Sequence, residues 1–468
     1  MTALEGKRVT VMGLGLHGGA LGTIRWLAAQ RAIITVTDLK TPQQLAATVT
    51  KLRDVPNITL VLGEHREQDF INADLIIRNP AVPRHSKYLL LAKEAGVPIE
   101  MDSSLFFEYC PTNNIIGITG SKGKSTTTHV ISRLLQLKYP HTVTVGIDGR
   151  SPLGELSQVT ADSLVVFELS SWRLEALAAK NISPTTAVVT SLYQDHLNTY
   201  DSYEHYIDTK KNIIRYQQSH DRALLNYDDP LLQQWASDVK GQLYWFSLES
   251  TLPPGSQGIF VSDKGMLTVR LQRGGAALFP LDAIPFTSQH EQRNVLPGIL
   301  LAYLNNVPAE SIKQNVQHLT GLAHRLEKVR VLQGVTYIND SAATMPDATI
   351  AALQALTRHT IVHILGGSDK RLTFENLAQA EANTKIRALI FLPGDATDRI
   401  RRQLVGEFRQ PPPVHEASSM VEAVSLAAQV AKPHDIVLLS PAATSFGLFQ
   451  HEFDRGNQFK DAVNKLAG

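Results

Sequence analysis

Cysteine is nearly absent. Cys110 stands alone in 468 residues, which excludes an internal disulfide framework and any metal centre built from several cysteines; it is expected to be a buried core thiol near a domain junction. An excess of either charge is missing too. Forty-five Lys and Arg face 44 Asp and Glu, so no global field argues for nucleic acid or for a polybasic membrane anchor, and electrostatic work falls to local sites. No uncharged apolar stretch reaches the roughly 18 residues of a membrane span, so no stable membrane insertion is expected. Met-Thr-Ala-Leu-Glu-Gly-Lys-Arg leads straight into Val9–Gly13 without the apolar core of a secretion signal, and a cytoplasmic protein is the expectation.

What is present is apolar material, 43% of the chain, enough for more than one core and, at this length, for about two to four domains. The most informative stretch is 115–128. Ile115-Ile116-Gly117-Ile118-Thr119 has the β-branched composition of a buried parallel strand, Gly120-Ser-Lys-Gly-Lys-Ser125 needs a tight turn, and Ser125 through Leu135 has the composition of a helix. Such an order lets successive amide hydrogens converge on oxyanions at a helix N-terminus, with Lys124 reaching terminal phosphates and Ser125 a magnesium ion. Ile118 stands where the common phosphate-loop pattern has glycine, so this is a shorter variant; a glycine-rich turn without a ligand is the alternative.

The N-terminal region opens with a strand at Val9–Met12, a turn at Gly13-Leu14-Gly15-Leu16-His17-Gly18, and a helix-like run through Ala29. Ala32–Asp38 is a second strand ending in a carboxylate. This GxGxxG arrangement suits a nicotinamide or flavin, another nucleotide, or a Rossmann half that only packs. Further strands are read at Leu60–Leu62, Leu75–Ile77 and Val97–Ile99, and the stiff loop Arg78–Pro83 follows the second of these, as a substrate loop or as a plain turn. Phe106-Phe107 and Cys110-Pro111 bridge to the next domain.

Beyond the phosphate loop come strands at Thr142–Val145 and Ser163–Glu168. The second delivers Glu168 to the sheet edge of Ser125, in the shell of a nucleotide-bound metal or in a structural role. Ser170 or Ser171 caps the helix that follows. Thr186–Thr190 is a short strand whose exit carries Asp195-His196, and Tyr203–Gln217 is a polar helix-like run bearing Lys210 and Lys211, either a ligand-edge lysine or a solvated one. From Leu224 to Val331 the pattern is less regular. Ala223–Asn226 and Gly258–Phe260 read as strands, Gly265 and Gly274-Gly275 as punctuation, and His290–Asn294 as the lead into a helix-forming run Val295–Leu304. A new domain is expected near Gly321, where Val329–Val331 and Val335–Ile338 lead to the polar exit Asn339-Asp340-Ser341. A helix-like Thr349–Leu356 follows, then strands at Ile361–Leu365, Ala388–Leu392 and Asp435–Leu439, with Gly366–Lys370 and Ser440–Phe446 as exits. Strand after strand ending in small polar residues is the grammar of a ligand-bearing α/β sheet.

Taken together, Thr119–Thr126, Phe167–Ser171, Asp195-His196, His324-Arg325 and Asn339–Ser341 resemble the three-domain Mur ligases of peptidoglycan synthesis, and within them the branch that adds glutamate. The resemblance covers nearly residues 8 to 460. It implies an α/β chain of three domains: a Rossmann-like UDP-substrate domain at 1–102, a central P-loop ATPase domain at 103–320, and a Rossmann-like domain at 321–468 that supplies glutamate contacts and closes. It also displaces the redox-dinucleotide reading of the glycine-rich turn.

The activity so implied is ATP-dependent addition of D-glutamate to UDP-N-acetylmuramoyl-L-alanine through an acyl phosphate, releasing ADP and phosphate, by a monomer. The alternative is addition of L-glutamate followed by a separate epimerase. Magnesium accompanies ATP, with Ser125, Glu168, His196 and a carbamylated Lys210 as its ligands; Tyr206 lies one turn before Lys210, and Lys211 is the competing position. Lys124, Glu168, His196 and Lys210 are the implied catalytic residues. Gly120, Gly123, Lys124, Ser125, Thr126, Asn294, Arg325 and Asp340 are the implied nucleotide contacts, with Asp195 beside the metal. Leu16, His17, Asp38 and Asn79 would meet the UDP substrate, and Thr344, Lys370 and Ser445 glutamate. Four departures stand out: Lys122 where asparagine is frequent, Glu291 after His290 where Asn is common, Asn79-Pro80-Ala81 for a Ser-Pro-Gly type of loop, and Ala342 where the D-glutamate enzymes carry lysine.

Overall fold

A computed structural model of the chain describes residues 4–15, 19–80, 82–147, 150–193, 200–249, 251–286, 288–368, 373–445 and 447–467. Two compact units result, Met1–Leu319 and Thr320–Gly468. The described strands form three sheets, the first two in the first unit and the third in the second. No described helix is long and apolar enough to cross a membrane.

In the first sheet, apolar runs make five parallel strands in the order Ile58–Leu62, Ile33–Asp38, Arg8–Met12, Leu75–Arg78, Ile99–Glu100. Strand order reverses beside Arg8–Met12, which makes its exit and that of Leu75–Arg78 the ligand-bearing crevice of a doubly wound sheet. The last strand starts at Ile99, later than the sequence pattern predicts. Gly96 (φ +74°) ends the preceding helix Lys87–Glu94, and Val97 donates its N–H back to Ala92 O, so Val97 belongs to a helix cap.

The second sheet runs Gly274–Pro280, Met266–Leu271, Gly258–Val261, Gln242–Phe246, Arg222–Asn226, Thr186–Val189, Ile115–Thr119, Leu164–Glu168, Thr142–Val145. The first two strands add antiparallel and the rest are parallel. Ile115–Thr119 is buried throughout, as a strand covered on both faces must be. Gly274-Gly275, expected to interrupt structure, instead opens an edge strand, because the hairpin it closes is paired along its length with Met266–Leu271. The expected helix over Val295–Leu304 also starts earlier, at Gln289. Its first turns look unhelical in sequence because they are polar, and they are polar because they face other parts of the domain: Arg293 reaches Asp228 at 3.0 Å, and Asn294 lies on the phosphate loop.

At the junction of these two sheets, helix Asp102–Tyr109 presents Phe106 edge-on to Phe167 (5.2 Å between centroids) and stacks Phe107 on it (5.9 Å). Aromatic packing of this kind contributes about 0.5–1.5 kcal/mol per pair beyond area burial, and Phe167 immediately precedes Glu168, so the junction also seats that carboxylate. Cys110 caps the same helix and is half-buried, less enclosed than expected, because it sits at the helix end where the chain turns out; burial still raises its thiol pKa.

In the third sheet, Glu327–Leu332 pairs antiparallel with Val335–Asn339, and Ile436–Leu439, Ile361–Leu365, Ile386–Phe391 and Val414–Glu416 follow in parallel. Three neighbouring strands therefore end side by side, with exits at Asp340–Thr344, Ser440–Ser445 and Gly366–Ser368. Apolar residues on both faces of the sheet form separate clusters beneath helices.

Candidate active site

The glycine-rich turn after Arg8–Met12 is held from two sides. Asp38 is buried, and its Oδ2 accepts from the amides of Leu14 (2.9 Å) and Gly15 (3.1 Å) while Oδ1 accepts from Lys40 N (2.9 Å). Asn79 closes the other side, donating Nδ2–H to Gly13 O (3.2 Å) and its own N–H to Met12 O (3.0 Å). Asp38 and Asn79, predicted as ligand residues, are thus brought together as the two braces of one turn. Beneath Asn79 a cavity of ≈ 110 Å3 reaches Gly19, Arg78, Arg150 and Arg173. Leu16 and His17 lie outside the described residues.

The phosphate loop is fixed by the neighbouring strand exit. Ser121 N donates to Ser191 O (2.7 Å), Thr190 Oγ1 to Lys122 O (2.5 Å) and Lys122 N to Ser191 Oγ (3.2 Å). The sequence shows Thr190 only as the end of a strand and Ser191 escapes it, although together they are one more polar strand exit of the kind singled out elsewhere. Helix Lys124–Leu135 then packs on helix Gln289–Leu304 so closely that a Cβ at Gly298 would lie 2.7 Å from Val130 Cγ1. This approach delivers Asn294 to the loop, where Thr127 Oγ1 donates to its carbonyl at 3.0 Å. Ser125 and Thr126 open the helix, half-buried.

Gly123 has φ +85°, and a methyl there would meet Asn294 Oδ1 at 2.3 Å. Gly265 has a similar φ, +72°, with open space around it. Both alanine substitutions carry the backbone strain, about 1–2 kcal/mol, but only Gly123→Ala must also displace the Asn294 amide. Gly123→Ala is therefore expected to weaken ATP binding at least about tenfold, and Gly265→Ala to leave it unchanged. Calorimetric titration of both variants with ATP checks this, and equal affinities would contradict it.

Two lysines meet on one carbonyl. Lys124 Nζ donates to Gly120 O (2.9 Å) and Ser121 O (3.1 Å), and Lys210 Nζ, 2% exposed, donates to the same Gly120 O at 2.9 Å. Lys210 also lies over the Tyr206 ring at 4.8 Å, and the Tyr206 hydroxyl bonds Ser121 Oγ at 3.1 Å. Lys211, the competing position, faces away, paired with Asp238 and set over Trp235. The helical step from 210 to 211 rotates the side chain by about a quarter turn, which puts one lysine on the loop and the other on the far side.

Glu168 ends the strand next to Ile115–Thr119, in register with Ile118. Its Oε2 is buried and finds no hydrogen-bond partner among the described residues. An ionised oxygen in that position is costly unless a cation takes it up, so the donor set suits a divalent ion. Arg173, another residue missed in the sequence, fixes the strand end behind it. Arg173 Nη1 donates to Gly146 O (2.9 Å) and Glu168 O (3.2 Å), and Nε and Nη2 grip Asp102 (3.3 and 2.8 Å). Burial works to lower the Arg173 pKa, but the charge and hydrogen bonds of Asp102 together with the charge of Glu168 outweigh it and the net direction is up. Asp195 and His196 lie outside the described residues.

In the second unit, Arg325 is exposed on a loop whose flanking residues, His324 (φ +65°) and Leu326 (φ +45°), both take left-handed conformations. That strain, about 1–3 kcal/mol for each residue, is held by hydrogen bonds: Ala342 N to His324 O (3.0 Å) and Leu326 N to Asp340 Oδ1 (3.1 Å). Arg325 and Asp340 are thereby brought together. Asp340 Oδ2 accepts from Ser440 Oγ at 2.7 Å, and burial pushes the Asp340 pKa up to about 6, against the pull of Ser440, Leu326 N, Arg325 and His363.

The other two exits join this edge. Thr444 and Ser368 exchange backbone hydrogen bonds (2.9 and 3.2 Å), which sets the buried Ser445 beside the loop leading into 369–372, while Thr344 is half-buried on the adjoining exit. Lys370 lies outside the described residues. Arg455, fully buried and also missed, ties two exits together by donating to Ser341 Oγ (2.9 Å), Ser341 O (2.9 Å) and Ala443 O (3.1 Å); burial lowers its pKa to about 9.

Comparison with known proteins gives three matching family profiles. Residues 7–100 match the family profile "Mur ligase MurD-like, N-terminal domain", 118–302 "Mur ligase middle domain", and 324–443 "Mur ligase, glutamate ligase domain". The chain is 40% identical to a UDP-N-acetylmuramoylalanine--D-glutamate ligase of Roseiflexus sp. over 99% of both chains, and 34% identical to one of Symbiobacterium thermophilum over 98% of both. Its fold resembles the UDP-N-acetylmuramate-alanine ligase of Thermotoga maritima (TM-score 0.61, 16% identity, 98% of this chain and 99% of that one). A pseudomurein peptide ligase from Methanothermus fervidus is similar at TM-score 0.54 and 17% identity, covering 98% and 100%. With a three-domain α/β architecture, matching profiles along its length and full-length relatives at this identity, the chain belongs to the Mur ligase family.

Proposed function

We propose that this protein is an ATP-dependent carboxylate–amine ligase that joins D-glutamate to UDP-N-acetylmuramoyl-L-alanine, the activity for which its full-length relatives are named. The observation that carries the reading is the meeting of Lys124 and Lys210 on Gly120 O, one strand away from the orphaned Glu168 oxygen. A packing turn needs none of these.

The division of labour is 1–102 for the UDP substrate, 103–320 for ATP and 321–468 for glutamate. Leu16, His17, Asp38 and Asn79 contact the UDP moiety, on a turn whose amides Asp38 also braces. Loop amides at Gly120 and Gly123, with Lys124, Ser125 and Thr126, cradle phosphates, and Asn294, Arg325 and Asp340 hold the rest of the nucleotide. Magnesium suits the set Ser125, Glu168, His196 and Lys210, and its charge would offset the oxygens gathered at the γ-phosphate. An oxygen of the alanine carboxylate attacks the γ-phosphorus and ADP leaves; the free amine of glutamate then attacks the acyl carbon, phosphate leaves, and the amine's proton passes to solvent. Thr344, Lys370 and Ser445 anchor the two glutamate carboxylates so that the amine stays unprotonated and in line.

Lys210 acts here as its carbamate. Two ammonium groups on one carbonyl repel in a buried setting, and adding carbon dioxide to Nζ with loss of two protons from the ammonium turns one of them into an anion that attracts magnesium and Lys124 alike. The protein works as a cytoplasmic monomer.

The test is turnover with enantiopure D- and L-glutamate, ATP and magnesium, followed by chiral hydrolysis of the product. Higher kcat/KM for D-glutamate and a D-configured amide are expected, despite Ala342. Preferential L turnover would overturn the stereochemistry, and no amide with either enantiomer would overturn the ligase.

A further inference from the structure

Within the second unit lies a polar pair that the ligase reading does not use. His363, in the middle of strand Ile361–Leu365, and Glu381, on helix Glu375–Ala382, are both fully buried. His363 Nδ1 meets Glu381 Oε1 at 2.6 Å, and Nε2 meets Ser440 O at 2.8 Å. A carbonyl only accepts, so Nε2 carries a proton; the neighbouring Glu381 charge raises the ring's pKa, so Nδ1 carries the other proton and donates to Glu381 Oε1. Ser440 passes the hold onward, since its hydroxyl donates to Asp340 Oδ2 at 2.7 Å. A buried ionic pair costs several kcal/mol in desolvation, and an apolar pair of equal volume would be as stable or more so, so its presence asks for a use beyond packing.

We infer that His363, charged through Glu381, is a positioning residue for the nucleotide edge: it pins the carbonyl of Ser440, whose hydroxyl aims Asp340, and sets a buried positive charge behind that carboxylate. The inference rests on the assignment of Asp340 to the nucleotide. The charged groups facing Asp340 are Arg325 from its loop and His363 from the strand on the far side of Ile436–Leu439, and both favour its ionised form. Burial works to lower the His363 pKa, while Glu381, Ser440 O and Asp340 raise it, with a net upward direction. Asp340, pushed up to about 6, therefore ionises near neutrality with a cation still behind it. Losing that cation raises the Asp340 pKa further, and the acid limb of activity moves to higher pH.

Two variants separate anchor from charge. The apolar pair His363→Met/Glu381→Leu removes both without stranding a charge, and is expected to raise KM for ATP about tenfold, to shift the acid limb of kcat/KM for ATP to higher pH, and to keep wild-type affinity for the UDP substrate. In Glu381→Gln the amide donates to Nδ1 of a neutral ring whose Nε2–H still holds Ser440 O. Its KM for ATP should stay near wild type above pH 8 while its acid limb shifts as in the pair. A wild-type KM and acid limb in the apolar pair would overturn the inference, as would an unshifted limb in Glu381→Gln. Asp340→Asn is the reference: a tenfold or greater rise in its KM for ATP supports the underlying assignment, and an unchanged KM sinks that assignment and the inference with it.

Discussion

Lys124→Ala is expected to slow acyl-phosphate formation by about a thousandfold or more while leaving affinity for the UDP substrate within about threefold of wild type. The separation follows from where each function sits. The Lys124 ammonium is committed to the phosphate-loop carbonyls of Gly120 and Ser121, whereas the turn assigned to the UDP moiety is braced by Asp38 and Asn79 in another sheet. Glu168→Gln should behave alike, since it removes the charge of a carboxylate whose Oε2 has no partner among the described residues and keeps the size of the side chain. Hydroxylamine trapping of the acyl phosphate in a single turnover, next to direct titration with the UDP substrate, makes the comparison. Normal trapping in both variants would move the catalytic centre elsewhere.

Lys210→Ala should lose activity by about a hundredfold to a thousandfold, and formate or acetate should restore part of it. Lys210 is 2% exposed and points at the loop; the cavity left by alanine opens beside Gly120, where a small carboxylate can replace the carbamate's charge but an amine cannot. Lys211→Ala should cost little catalysis, because Lys211 is spent on Asp238 and Trp235. Activity measured against carboxylate concentration distinguishes rescue from a salt effect if chloride at equal ionic strength does nothing. An active Lys210→Ala variant would reject the carbamate.

Much of this was legible because the chemistry sits where strands end. Ile115–Thr119 runs into Gly120, Leu164–Glu168 ends on its carboxylate, and Val335–Asn339 delivers Asp340; a run of apolar residues closing on a polar one reads the same in one dimension as in three. Lys210 and Lys211 were indistinguishable by periodicity, since both sit on a polar helix; the family resemblance pointed to Lys210, and the packing of that helix puts Lys210 on the phosphate loop. The braces were hidden for a related reason. Arg173 and Arg455 look like surface charges until the fold buries them against carbonyls, and His363 sits in an apolar strand with its partner eighteen positions away. Asp38 was legible as a carboxylate at a strand end, but its three amide bonds depend on a turn geometry that spacing alone does not give. The polar start of helix Gln289–Leu304 was mistaken for a lead-in because its residues serve neighbouring segments and break the apolar period.

The central claim is that the phosphate loop, Glu168 and Lys210 serve to phosphorylate the alanine carboxylate. The most direct measurement uses UDP-N-acetylmuramoyl-L-alanine labelled with 18O in that carboxylate, turned over with ATP, magnesium and D-glutamate, with mass analysis of the phosphate released. One labelled oxygen in each phosphate is the predicted result, because the oxygen that attacks ATP leaves with phosphorus when the amide forms. Amide product accompanied by unlabelled phosphate would contradict the account.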